Sequence, residues 1–552
     1  MSEEGLYPVQ WDQAAPVAPG TPPVSGLGLT SSPVSVTPVA SVAASSHGHL
    51  RGSTLMLTGR ILAMCVGFVT QVLIVRYLSK TDYGALAYGL ATVSLLQTLI
   101  PLGLDRADAR FLAVFDERRD APRLLGVLAT EAATVLALGA LAGALIAFLV
   151  SRGAISIGGA HDSRLLLVLV VLAPIGALDA MVVNAFAVFA SAKAVFFRRY
   201  VLDPCLRLSA CVIVVGAGLS VTWLATGMVV AAAVGFTVYA VLLRGLLRKV
   251  LARLDAKSWK VALPGSELFR FATPLLTAGL VTTTAMSLGP LLVGQWRSVH
   301  DVADLRAIQP IVTLNLVVSA AFSILFVPTA ARLLERRDLD GVRELYWRGT
   351  LWITVLTFPV LALTLPFAHV VVTTLFGARY GGSALYLQIM SVGLFAQAAT
   401  GFNGLLLQAA GRIRYVLVTN LIALAVAVLA NVLLVSAFGA TGAACALTVT
   451  LLVHNGMKQY GLSKVPVPRL ERNAGRVYCG VAALVVVLTI TEKVLQPSFA
   501  VGVVLAAVAV LALFALARPG LDVDGVFPEV QRLAGARRLL CRSRAGAEGQ
   551  LP

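Results

Sequence analysis

Residues 54–104 read TLMLTGRILAMCVGFVTQVLIVRYLSKTDYGALAYGLATVSLLQTLIPLGL. Two apolar runs, 54–78 and 83–104, flank a short polar break at Ser79–Asp82. Each is long enough to cross roughly 30 Å of hydrocarbon at about 1.5 Å per residue, so the stretch reads as a membrane hairpin. The same pattern continues outward along the chain. Fourteen apolar runs alternate with short polar breaks: 54–78, 83–104, 124–150, 165–189, 200–218, 221–243, 268–294, 306–328, 350–375, 384–408, 414–437, 440–461, 476–494 and 498–517. Gly and Pro interrupt many of them, which membrane helices tolerate.

Composition agrees. The 552 residues are 58% hydrophobic and 13% charged, with a mean hydropathy of +0.86. Soluble domains carry about 45–50% apolar and about 25% charged residues. A soluble enzyme with one anchor is excluded, and the expected fold class is an all-α polytopic membrane protein of about 14 transmembrane helices. The net charge of +17 would suggest nucleic acid in a soluble protein, but here it reads as topology, and no nucleic-acid partner is expected. With the N-terminus in the cytoplasm, 36 of the 44 basic residues fall on inner segments. Arg76, Lys80, Arg152, Arg164, Arg297, Arg306, Arg379 and Lys493 fall outside. An even helix count returns the C-terminus to the cytoplasm, and the expected location is the cell (cytoplasmic) membrane. The six cysteines lie mostly in apolar runs without metal-binding spacing and read as packing residues.

Residues 1–50 hold seven prolines, eight serines and no Lys or Arg, the composition of a disordered tail and not of a signal peptide. The expected divisions are this cytoplasmic tail, a first lobe of six helices (51–243), a basic cytoplasmic linker (244–267), a second lobe of six helices (268–462), two appended helices (463–517) and a basic cytoplasmic tail (518–552). A weak internal repeat supports the cut between the lobes. At an offset of 219, Ser79, Asp82 and Leu86 match Ser298, Asp301 and Leu305, and Tyr77 faces Trp296. Ala-Arg-Phe-Leu at 109–112 likewise resembles Ala-Arg-Leu-Leu at 331–334. Asp82 and Asp301 are placed to open their helices at the positive end of the dipole. Repeated halves around a central site are the architecture of alternating-access transporters.

Ionisable and polar side chains inside the membrane mark candidate sites. Arg60, Met64, Gly67 and Gln71 share one face of the first helix, with Arg76 near its end. Ser94, Gln97, Pro101 and Asp105 form a stripe on the second. Thr284, Ser287 and Gln295 lie above Arg270 on the seventh, followed by Arg297, and Gln309 and Asn315 lie on the eighth. The simple reading is a water-filled, mildly cationic cavity between the halves. Arg60 and Arg270 can instead snorkel to the inner headgroups, and Arg76 and Arg297 to the outer ones. The amides can instead bond neighbouring helices. Glu131 and Asp179 are the deepest acids, placed either to couple an ion or to pair with a basic neighbour. The run 329–348 reads as a charged, solvated inner loop. There is no P-loop and no HExxH, and the outer loops are too short to carry a glycosyltransferase site. No enzyme activity, catalytic residue, metal or cofactor is expected.

The run from Arg76 to Tyr88 resembles the first hairpin of Wzx-type polysaccharide flippases, and Pro101–Leu112 resembles the end of their second helix. Tyr380-Gly-Gly, Gly411-Arg412, Asn420, Asn431 and the segment Gly439–Cys445 resemble their C-terminal half. The likeness spans roughly residues 52–465. That family belongs to the MOP exporter superfamily with MATE multidrug antiporters and MurJ-type lipid II flippases. The resemblance implies a MOP/MATE-like fold and export of a polyprenyl-pyrophosphate-linked oligosaccharide, its anionic group held by cavity arginines. Implied partners are the lipid-linked oligosaccharide, membrane lipids, and a polysaccharide polymerase and glycosyltransferases, with a monomer favoured. Two departures stand out: Val302–Arg306 replaces a Gly-x-Tyr often found at the start of the eighth helix, and the seventh lacks an acid. A MATE-like ion-coupled small-molecule antiporter is the alternative, disfavoured because the first helix has no acid. A non-transporting component of a polysaccharide synthesis complex is another.

Overall fold

In the computed structural model, residues 40–153, 160–190, 196–254, 261–263, 266–465 and 471–521 are described. Helices follow in the order α1 (Ala40–Tyr77), α2 (Lys80–Leu99), α3 (Leu104–Glu117), α4 (Ala121–Ser151), α5 (Ala160–Val170) and α6 (Leu172–Phe189). A π-helical turn at Phe197–Leu202 runs into α7 (Asp203–Gly216), followed by α8 (Val221–Arg253), α9 (Ser266–Trp296), α10 (Val299–Glu335) and α11 (Leu339–Thr364). The rest are α12 (Ala368–Phe376), a 3-10 turn at Ala378–Tyr380, α13 (Ser383–Ala399), α14 (Asn403–Ala409), α15 (Ile413–Ser463), α16 (Arg472–Leu495) and α17 (Phe499–Leu521). No strand occurs among the described residues.

Twelve of the described helical stretches are long and apolar enough to cross a membrane. Two further features account for the fourteen expected runs. α15 is a single 51-residue stretch, but Gly439 within it adopts φ 58° and ψ −130°. Glycine alone accepts that conformation readily, so the chain breaks there into two crossings. The π turn and α7 together form the helix expected at 200–218.

The polar break at Ser79 is a helix boundary, as its chemistry requires. The Ser79 hydroxyl accepts the Asp82 N–H at 3.0 Å, satisfying a donor that the first turn of α2 leaves free. Ser298 caps α10 in the same manner, accepting the His300 N–H at 3.0 Å. The serines are thus the caps, and Asp82 and Asp301 sit in the first turns behind them. Thr81 and His300, equivalent at the offset of 219, touch at 3.4 Å. The two capped turns, matched in the sequence repeat, therefore meet in the fold.

The helix expected at 83–104 stops at Leu99. Leu102 (φ 53°) and Gly103 (φ 81°) turn the chain, and α3 sets off as a separate helix. A side chain at position 103 would run into the Ala272 carbonyl of α9, so glycine permits α3 to start against α9. α2 lies centrally, packed on α5 and α6 on one side and on α9 and α10 on the other. α16 and α17 pack on each other and on α11, with the Trp352 indole N–H donating to Leu521 O at 3.1 Å. Ile213, Val241, Leu429, Val494 and Leu511 point outward and exposed, a surface suited to hydrocarbon and not to water.

The charged stretch 329–348 is not a loop. α10 continues to Glu335 and α11 starts at Leu339, leaving only a tight turn in which Asp338 accepts the Gly341 N–H at 2.8 Å. Of the expected basic linker, Arg244, Arg248, Lys249 and Arg253 ride on the end of α8. Lys257 and Lys260, the stretch 1–39 of the N-terminal tail, and 522–552 of the C-terminal tail lie outside the described residues.

Candidate functional site

α1 approaches the π turn closely because residue 59 has no side chain: a Cβ there would meet the rings of Phe196 and Tyr200. Above this contact the two elements diverge, and with α2, α6, α7 and α8 they enclose a cavity of about 650 Å3. Arg60, Arg199 and Arg207 bring three guanidinium groups to its wall, with Asp203 beside them. Arg207 pairs with Asp203 at 3.2 Å, one turn earlier on the same helix. Arg60 and Arg199 make no ion pair among the described residues.

A second chamber of about 350 Å3 adjoins the first, sharing Gln71, Ile74 and Leu90. It lies between α2, which supplies Tyr83 and Leu86, and α10, which supplies Arg306, Gln309 and Thr313. The Gln71 amide donates to the Tyr83 hydroxyl, and Arg306 donates to Gln309. Two polar chambers thus lie side by side, one among α1, α2, α6, α7 and α8 and one among α1, α2 and α10.

The expected residues divide accordingly. Arg60, Gln71 and Gln97 line the first chamber, though Gln97 spends its amide N–H on Leu172 O at 3.1 Å. Gln309 lines the second. Arg76 and Arg297 lie elsewhere, at the helix ends, donating to Leu375 O at 2.8 Å and to Ser436 O at 2.6 Å. Gln295 is exposed near the end of α9. Arg270 lines a separate hollow of about 310 Å3 with Arg110, Arg118 and Glu267. Thr284 and Asn315 are buried in helix packing. Of the two deep acids, Glu131 is fully buried, whereas Asp179 is paired with Arg198 at 2.5 Å.

Arg198 is 3% exposed and also reaches Asp203 at 3.8 Å, tying the π turn to α6 behind the cavity wall. Removing one partner of such a pair leaves the other charge unmatched; Asp179 keeps 25% exposure, which softens the cost. Arg198→Ala is expected to lower stability by about 2 kcal/mol. Thermal unfolding of the detergent-solubilised protein checks this, and an unchanged midpoint refutes it.

Arg199, Arg207 and Arg306 were not among the residues singled out from sequence. Arg306 falls in the second turn of α10, about 10 Å from its start, because that helix begins at Val299 and not at 306.

A polar lattice lies at the α1–α2 turn, beyond the Tyr83 wall of the second chamber. Lys80 Nζ lies 2.8 Å from Asp304, which also accepts the Ser383 hydroxyl at 2.9 Å. Arg379 donates to the carbonyls of Val75, Arg76 and Leu78 at the end of α1. Arg76 in return donates to Thr374 O and Leu375 O at the end of α12. Each arginine therefore caps the other helix, whose terminal carbonyls lack intrahelical donors and carry the negative end of the dipole. Tyr380 packs edge-on against Tyr83 beneath, and burial pushes its phenol up to about 12, so it stays neutral.

A family model described as polysaccharide biosynthesis protein matches residues 49–334. No curated protein matches the sequence. Among solved structures, the fold is similar to the lipid II flippase MurJ in an inward closed conformation, with TM-score 0.62 and 11% identity over 84% of this chain and 98% of that one. It is similar to a multidrug resistance MATE family transporter of the MOP superfamily in its inward-facing conformation, with TM-score 0.58 and 14% identity over 75% and 100% of the chains. A mutant of the Vibrio cholerae MATE transporter VcmN gives TM-score 0.53 and 15% identity over 77% and 99%. At these identities the likeness is one of fold.

Proposed function

The chain belongs to the polysaccharide biosynthesis protein family, and on that premise we propose that it flips polyprenyl-pyrophosphate-linked oligosaccharide repeat units across the cytoplasmic membrane by alternating access. The observation that carries this is the arginine-lined cavity: Arg60, Arg199 and Arg207 face one chamber and Arg306 the next. Planar guanidinium groups match phosphate oxygens two at a time, and the site is large enough for a diphosphate with its first sugars. Gln71, Gln309 and Thr313 offer amide and hydroxyl partners to the sugar head.

The polyprenyl tail remains in the bilayer. α1 offers it an exit, since Ile61, Leu62 and Val69 face outward and exposed. The 36-to-8 division of basic residues supports cytoplasmic termini, which turns the Arg60 end of the cavity inward and puts the Lys80–Asp304 lattice on the outer face. The protein then stands closed to the outside. Residues 51–243 and 268–462 are the lobes that rock, with 463–517 riding on the second. The chain acts as a carrier and not as an enzyme, supplied by glycosyltransferases and serving a polymerase.

Deleting the gene tests this. Lipid-linked repeat units are expected to accumulate on the inner leaflet while surface polysaccharide disappears. Normal surface polysaccharide in a strain with no second flippase overturns the assignment.

A further inference from the structure

Away from the cavity, α3 brings an acid against another acid. Asp108 on α3 and Glu131 on α4 are both 0% exposed. Each lies within electrostatic range of the other, with Asp105 next nearest. Asn184 of α6 faces the cluster and donates to the Asp105 carbonyl at 2.6 Å and to both Asp108 oxygens at 3.2 and 3.3 Å. Both Glu131 carboxylate oxygens are buried without a hydrogen-bond partner among the described residues. That is a costly arrangement for an ionised group in a low-dielectric interior.

Among the described residues, no basic side chain is paired with Asp108 or Glu131. Of the basic side chains on α3, Arg106 lies against Gly279 of α9 and Arg110 stacks over the Phe271 ring at 4.3 Å, so both turn toward the second half. On α4, Arg123 is engaged by Asp120 at 3.5 Å, and Arg152 lies past the far end of the helix. On α6, Asp179 is held by Arg198. On α5, Arg164 is exposed. Two neighbouring carboxylates that are buried together without a cation do not both ionise; they share a proton.

We propose that Glu131 and Asp108 form a proton-binding pair at the joint of α3, α4 and α6. The pair sharing one proton, with a single negative charge, lets α3 dock on α4; loss of that proton leaves two negative charges that push α3 away. α3 is also packed on α9 of the second half, with its first residue pinned by the Gly103 turn against Ala272. The pair thus lies where movement of one half against the other must change its surroundings, which makes it a coupling site if the flippase assignment holds. Proton binding itself does not depend on that assignment.

The test reads the carboxyls directly. The full-length protein in lipid nanodiscs, without substrate, is followed by infrared difference spectroscopy across a pH titration. The wild type is expected to show the C=O stretch of one buried protonated carboxyl that disappears on alkalinisation. Glu131→Gln, isosteric with the protonated form, and Asp108→Asn are each expected to remove that titrating band. The proposal fails if the wild type shows no such band, or if the band is unchanged in whichever variant folds. It also fails if added sodium at fixed pH abolishes the band, which would make the ligand a metal cation. A wild-type protein that shows the band but flips no lipid-linked oligosaccharide would speak against the transport assignment and not against the pair.

Discussion

Replacing Arg60 and Arg207 together by alanine is expected to weaken binding of a polyprenyl pyrophosphate at least about a hundredfold and to stop polysaccharide export. A hydrogen bond to a charged group contributes about 1.5–3 kcal/mol, and about 1.4 kcal/mol is a tenfold change. Two lost guanidinium contacts therefore remove about 3 kcal/mol or more. Arg60 is expected to account for the larger share, because Arg207 must first share itself with Asp203. Arg60→Lys should recover only part of the loss, since an ammonium keeps the charge but not the fork that grips two oxygens. Binding by the purified protein, measured at two salt concentrations, separates this from a folding defect: the wild-type affinity falls with salt, and the double variant keeps only the weaker dependence that Arg199 and Arg306 supply. Equal affinity in variant and wild type would return both arginines to a structural role.

The fold was legible because hydrocarbon is an unforgiving solvent. Its thickness sets run length and its polarity sets composition, so every expected run carries helix, though 83–104, 350–375 and 384–408 are each broken by a turn. What the runs do not encode is where a helix turns within the protein. The apolar segment 83–104 gives no warning that the chain breaks after Leu99; that break depends on Gly103 meeting Ala272 of a helix far along the sequence. Run boundaries also set which arginines look buried. Arg306 was placed at an outer edge because polar residues precede it, yet Ser298 caps α10 upstream and carries Arg306 into the second chamber. Arg76 lies at the end of an apolar run and Arg297 just past one, but their partners are backbone carbonyls at Thr374, Leu375 and Ser436, which no side-chain pattern advertises. The repeat was the most informative faint signal: four matched positions at one offset anticipated the paired serine caps and the contact of Thr81 with His300.

The closure built on that repeat leads to the second large effect. Arg379→Ala removes the Nη2 group whose two hydrogens are shared among three carbonyls at the end of α1, and Asp304→Asn removes the charge that holds Lys80. The arginine is exposed, so each of its bonds is discounted for competition by water to about 0.5–1 kcal/mol. The Lys80–Asp304 pair is more enclosed, at 25% and 10% side-chain exposure, and contributes about 1 kcal/mol more. Together the changes shift the balance between closed and open states by about 3 kcal/mol, or about a hundredfold. Folding should survive, because the helices beneath are held by their own apolar contacts. Ala87, 3% exposed, lines the chamber just under this lattice and reports the change. With Ala87→Cys in a background lacking the native cysteines, a membrane-impermeant thiol reagent applied from outside should label slowly when Arg379 and Asp304 are intact. In the double variant labelling should be about a hundredfold faster. Arg76→Ala should act in the same direction but less, since it removes two carbonyl bonds and leaves the ion pair. Identical labelling in all backgrounds would mean that the reciprocal arginine caps decorate a closed face held shut by apolar packing alone. Faster labelling from the inside only would reverse the orientation assigned to the chain.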